Sequence, residues 1–170
     1  DKPLFAPEYG LYSHRIGDMW LAGGASNTGG VVLAAHFSDE RIIALSKEID
    51  PTRETGLDYY PLVKPGERFP INDPALAPRM DPRPDNDAMF LQGIFEGIAA
   101  IEKLAYERLE ALGSPKLASI RTVGGGAKNP TWMAIRGRKL FVPFLPLASE
   151  EAAAGTARLA LQGAMTAGVL

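Results

Sequence analysis

The segment from Asp85 to Leu112 limits the fold more than any other. Met89, Phe90, Ile94, Ile98, Ile101, Leu104, Ala105 and Leu109 recur there at helical spacing. Gly113 follows as the residue that closes a helix in the left-handed conformation, and Pro115 lies just beyond. This is the strongest helix in the chain. A domain of 170 residues buries roughly 70% of its extended-chain surface, so a real core can form against it.

The rest of the chain punctuates itself. Leu11–Ile16 and Met19–Ala22 read as two short strands, with Gly17-Asp18 as a two-residue hairpin turn. The small-residue stretch from Gly23 to Gly30 leads into a helix over Val31–Ala35, with Asn27 or Thr28 as its cap. Ser38 to Ile49 predicts a second helix, closed by Asp50-Pro51. Ser38 and Arg41 do not form a capping box, because no Glu or Gln stands at the third helical position. Residues 51–86 are dense in proline and charge and read as a long loop, with a strand at Tyr59–Val63. A loop of that length in a domain is usually functional or flexible. Strands are expected at Leu117–Val123 and Phe141–Phe144, with a helix from Pro130 or Thr131 through Ile135 between them. A last helix opens at Ser149-Glu150-Glu151, where acidic residues suit the positive end of the helix dipole. Strand, glycine turn, helix, strand, helix argues for an α/β domain.

Bulk properties exclude several classes. Apolar residues are 46% and charged residues 22%, and the net charge is -2. That balance offers no surplus of Lys and Arg for nucleic-acid phosphates. Arg136, Arg138 and Lys139 read as a small solvated patch. Without cysteine there is no disulfide and no thiolate zinc site, which fits a reducing compartment such as the cytoplasm. No apolar run approaches the ~20 residues of a membrane span, and Asp1-Lys2-Pro3-Leu4-Phe5 has no signal-peptide pattern. The chain opens on Asp1 and is read as a piece of something longer.

The chemistry concentrates at Ser119–Trp132. A strand delivers the backbone to Gly124-Gly125-Gly126, and a helix follows. Residues without Cβ let the backbone approach a flat ligand or a phosphate closely, and a helix start supplies free N–H groups. Lys128 adds a charge, and Asn129 an amide able to read a base edge or ribose. The segment is neither a Walker A loop nor a G-x-G-x-x-G turn, because position 129 is Asn. From the glycines alone, a tight strand-to-helix turn without a ligand is an equal reading.

Four stretches, in order, resemble the FGGY family of carbohydrate kinases. Trp20–Gly30 resembles the start of its C-terminal domain. Tyr60-Pro61-Leu62, Gly66-Glu67-Arg68-Phe69-Pro70 and Asn72-Asp73-Pro74 resemble its Tyr, Gly-Glu-Arg-x-Pro and Asp-Pro pattern. Phe95–Ala99 resembles its glutamate-glycine helix. Val123–Asn129, with Glu151–Ala157, resembles its adenosine motif and closing alanine-rich helix. The resemblance implies one domain over 1–170, the C-terminal half of a two-domain sugar kinase of ribonuclease H-like, actin/hexokinase-type ATPase fold. It implies ATP with Mg2+ and transfer of the γ-phosphoryl group to a sugar. Gly125, Gly126 and Asn129 would meet adenosine, with Lys128 beside them, and Gly29 would approach the ribose or phosphates. The family's catalytic aspartate lies upstream of the matching region, so the isolated chain is expected to be inactive. Asp1, Asp18 and Asp39 read as solvated surface groups.

The resemblance makes ATP or ADP, a sugar and the absent N-terminal domain the partners. An exposed inter-domain face would also allow a homo-oligomer. The Gly23–Asn27 run leans toward a ketopentose, D-ribulose or D-xylulose, while Met80–Pro84 departs from the commoner xylulose-kinase pattern. A non-catalytic actin-like nucleotide-binding or assembly module, and a structural domain without a ligand, are the alternatives. Glu67 and Arg68 are expected to anchor their loop or pair with each other. Glu96 is expected to be a buried carboxylate accepting hydrogen bonds, and Trp132 either stacks on adenine or packs its helix. His14 and His36 have no metal-site spacing.

Overall fold

The computed structural model describes residues 2–147, 149 and 152–168. A 3-10 turn over Pro7–Tyr9 precedes strand β1 (Tyr12–Ile16) and strand β2 (Met19–Gly23), followed by helices α1 (Gly30–His36), α2 (Asp39–Ser46) and α3 (Asp87–Ala111). A 3-10 turn over Gly125–Lys128 then leads to α4 (Pro130–Leu140) and α5 (Ala152–Thr166). The hairpin has the expected turn: Ile16 pairs with Met19 and Tyr12 with Gly23, and Gly17 takes φ +57°.

Helix α3 is the axis of the domain. Asn86 caps it by accepting the Met89 N–H at 2.9 Å, and Gly113 ends it at φ +97°. Its first half is buried on nearly every side, from Phe90 to Gly97. On one side Leu91, Phe95 and Ala99 pack with Leu45 of α2, with Ile49 just beyond it and with Ile135 of α4. On another, Phe90 and Ile94 pack with Val32 of α1 and with Tyr59. Each buried Leu, Ile, Val or Phe side chain among them contributes about 1.5–3 kcal/mol. Met89 departs from expectation: it sits beside the cap on the outer face and is 39% exposed.

Residues 51–86 wrap around α3, tied down by hydrogen bonds. Tyr60 and Arg79 exchange backbone bonds at 2.8 and 3.0 Å, and Glu67 and Asp73 at 2.8 and 3.1 Å. The wrap crosses α3 where Gly93 and Gly97 stand. A Cβ on Gly93 would lie 2.9 Å from the Tyr59 ring, and one on Gly97 2.8 Å from the Tyr59 carbonyl. The glycines inside this helix are therefore a packing requirement.

Strand content is smaller than the sequence suggests. Tyr59–Val63 contributes only the bridge from Tyr60 to Arg79. Leu117–Val123 and Phe141–Phe144 reduce to one parallel bridge, Ile120 to Phe144. At Phe141 the cause is α4, which continues past Ile135 to Leu140 and ends with Phe141 in the left-handed region at φ 54°, its N–H bonded to the Gly137 carbonyl. The arginines of that extra turn are not a solvated patch. Arg136 is 5% exposed and makes a bidentate pair with Glu102 at 2.7 and 2.6 Å. Arg138 donates to Glu96 at 2.8 Å. Of the three, Lys139 faces most to solvent, 3.4 Å from Glu54.

In α5, Leu159, Leu161 and Met165 are 50%, 51% and 63% exposed. The helix opening expected at Glu150-Glu151 lies outside the described residues, as does Asp1. No helix among the described residues is long and apolar enough to cross a membrane.

Candidate functional site

A cavity of about 680 Å3 opens between α1, α2, α3 and the start of α4. Gly29, Gly125, Gly126, Lys128 and Asn129, drawn from the two glycine-containing stretches of the sequence, all line it. Leu33, Ile42, Ile43, Phe95, Ile98 and Trp132 supply its apolar wall.

The first glycine stretch is built from below. Glu67, 2% exposed, accepts hydrogen bonds from Ser26 Oγ at 2.6 Å, Asn27 N at 2.6 Å, Tyr60 Oη at 3.1 Å and Arg68 N at 2.8 Å. Burial and the neighbouring Glu67 charge hold the Tyr60 phenol well above its ordinary range, so it stays a donor. Arg68 turns away from Glu67 and donates through Nε to Asn27 Oδ1 at 2.7 Å. Glu67 is thus a loop anchor that works through neutral donors. Asn27 donates to the Gly66 carbonyl at 3.0 Å and Thr28 to the Pro61 carbonyl at 2.7 Å. Neither side chain is left to cap α1, and the cap position falls to Gly29 at φ +113°. Gly24 seals the packing, since a Cβ there would sit 2.2 Å from Cγ of Phe69.

The second stretch is held by its far end. Gly124 takes φ +88°, and Ala127 N bonds back to its carbonyl at 3.1 Å. Asn129 then closes the turn. Its Oδ1 accepts the Trp132 N–H at 3.0 Å as the cap of α4, and its Nδ2 donates to Ser46 Oγ at 2.9 Å. Thr131 Oγ1 donates to the Ser46 carbonyl at 2.8 Å. The Asn129 amide therefore keeps one N–H for a ligand and has a structural duty as well. Trp132 lies 5.3 Å from Phe95, ring to ring, with the Arg136 guanidinium 5.3 Å from its own centroid. It packs its helix against α3 and presents its remaining surface to the cavity.

Several residues were not singled out from sequence. Ser46 and Thr131 join α2 to α4, and no local motif marks them. Asp39 lines the cavity rim although exposed, while Asp18 sits in the hairpin turn away from it. Glu96 behaves as expected, accepting from Thr55 Oγ1 at 2.5 Å, Gln92 at 3.0 Å and Arg138 at 2.8 Å. His36 packs edge-on against Phe90 and His14 against Tyr12. Among the described residues no cluster of His, Cys, Asp or Glu could hold a metal ion.

Two solved structures share this architecture. One is a xyloylose kinase from Brucella ovis, 24% identical, with a TM-score of 0.79 over 96% of this chain and 36% of that one. The other is a xylulose kinase from Bifidobacterium adolescentis, 19% identical, with a TM-score of 0.69 over 89% of this chain and 31% of that one. The chain spans about a third of the length of the structures it matches. Its fold is of the actin/hexokinase-like ATPase type. Residues 1–164 match the C-terminal domain of the FGGY family of carbohydrate kinases, and the chain belongs to that family.

Proposed function

We propose that this chain is the nucleotide-holding domain of an ATP-dependent sugar kinase whose other domain supplies the catalytic carboxylate and most sugar contacts. The observation that carries this reading is the convergence of Gly29, Gly125, Gly126, Lys128 and Asn129 on one cavity with an apolar wall. Its volume falls within the ~300–1,000 Å3 of small-molecule sites. Leu33, Ile42, Phe95 and Trp132 suit the faces of adenine. A Cβ on Gly29 or Gly125 would meet nothing within 4 Å, so these backbones border open space in the cavity that ribose and phosphates would take.

The chemistry is in-line transfer. A sugar hydroxyl oxygen bonds to the γ-phosphorus, the bond to the β-phosphate oxygen breaks, and the hydroxyl proton goes to a base outside this chain. Mg2+ would neutralise charge on the phosphates, carried mainly by them, as this ion commonly is. The described residues offer it no cage of their own. D-ribulose or D-xylulose is the proposed substrate, supported by the Gly23–Asn27 run and by the fold shared with kinases named for xylulose.

The test is ADP release by the whole enzyme, given MgATP and each ketopentose in turn. One sugar should raise the rate in a saturable way, and this domain alone should release none. If no sugar in a broad panel raises ADP release and ATP does not bind, the reading fails.

A further inference from the structure

One serine at the cavity uses its hydroxyl within the protein only as an acceptor. Ser46 is 6% exposed and lines the cavity opposite the second glycine stretch. Its Oγ accepts the Asn129 Nδ2–H at 2.9 Å, and its carbonyl accepts the Thr131 hydroxyl. Among the described residues its own hydroxyl proton meets no acceptor, not even the carbonyl one turn back on α2, where a helical serine usually turns. A serine hydroxyl can accept and donate at once, so this one keeps its hydrogen for a group in the cavity. Asn129 also fixes the geometry. Because its amide donates to Ser46, one lone pair of Oγ is occupied and the hydroxyl must turn its hydrogen elsewhere. The cavity is the space it borders.

The surroundings restrict what can answer. Leu33, Ile42, Ile43, Phe95 and Trp132 line the cavity with Ser46, and such apolar faces suit a flat heteroaromatic ring. The group that meets Ser46 must be an acceptor in the plane of that ring. We propose that the Ser46 hydroxyl reads the base of the bound nucleotide, donating its hydrogen to a ring nitrogen, with Asn129 aiming the hydroxyl. This rests on the nucleotide reading of the cavity and adds to it the group that recognises the base.

The test measures binding of ATP and of its 1-deaza, 3-deaza and 7-deaza analogues to the whole enzyme, wild type and Ser46→Ala. Each analogue replaces one ring nitrogen with C–H and leaves the shape unchanged. Wild type should bind one of the three about tenfold more weakly than ATP, the size of one neutral hydrogen bond. Ser46→Ala should bind ATP about tenfold more weakly and treat that same analogue as it treats ATP. Ser46→Cys, with a weaker donor, should fall between the two, and it carries the test if the alanine variant does not fold. The proposal is overturned if wild type binds all three analogues as it binds ATP. It is equally overturned if the variants keep the wild-type discrimination, since Ser46 would then act only by supporting Asn129. Failure of wild type to bind ATP at all would remove the nucleotide reading itself, a result distinct from either.

Discussion

The two glycine stretches that meet at the cavity are built in opposite ways. The first, residues 23–30, is clamped: Glu67, Gly66 and Pro61 take hydrogen bonds from Ser26, Asn27 and Thr28, and Phe69 fills the space where Gly24 lacks a side chain. The second, residues 124–129, is exposed over Gly124, Gly125 and Gly126 and is fixed mainly where Asn129 ties into α4 and Ser46. Glycine therefore does two jobs here. In the first stretch Gly24 makes room for the protein itself. In the second, Gly125 leaves room for something else. One wall of the site is prebuilt by packing, and the other is a backbone edge left open.

The largest effect should come from breaking the clamp sterically. Gly24→Ala forces a Cβ into the Phe69 ring, and overpacking of this kind costs about 3 kcal/mol. A fall of roughly 10 °C in melting temperature is expected, and a change below about 2 °C would show that the first stretch is not packed as described. Breaking the clamp electronically should cost less. Glu67→Gln keeps the volume but sets an NH2 donor against donors, and a loss of about 2 kcal/mol follows. Thermal denaturation should register that loss together with faster hydrogen exchange at the Asn27 amide. Unchanged exchange there would mean the carboxylate does not hold the stretch.

The smallest effect on stability belongs to the open stretch. Gly125 does not require positive φ, and its Cβ would touch nothing, so Gly125→Ala should leave the melting temperature within about 1 °C. Nucleotide affinity should fall roughly tenfold, as loss of about 1.4 kcal/mol of close contact gives. If Gly125→Ala lowers the melting temperature by several degrees and leaves the affinity unchanged, the contrast between the stretches is lost.

What was legible in the sequence was what depends on near neighbours. Gly113 marks the end of α3, and its apolar period marks its core face, because helix termination and helical spacing act within a few residues. Gly17-Asp18 marks the hairpin for the same reason. Asn27 and Thr28 have the chemistry of helix caps, yet their side chains are drawn to residues 39 and 33 positions away, and no local rule sees that competition. Arg136 looks solvated on its own, but Glu102 and Thr122 enclose it, at 2.6 Å from Thr122 Oγ1. The five residues expected at the site do line one cavity, because glycine runs signal backbone exposure without tertiary information. Ser46 was invisible, since a serine at the end of a helix is ordinary until another element arrives above it.

The sequence by itself determined the helices, the hairpin turn and the two glycine edges, since short-range sterics and hydrogen bonding decide these along the chain. Only the tertiary structure decided that the expected strands shrink to bridges, that Glu67 lies beneath the first glycine stretch, and that Asn129 meets Ser46 across 83 residues of chain. Those contacts follow from packing α2 and α4 against the buried half of α3, and burial against a shared surface is a property of the folded whole that no stretch of sequence carries alone.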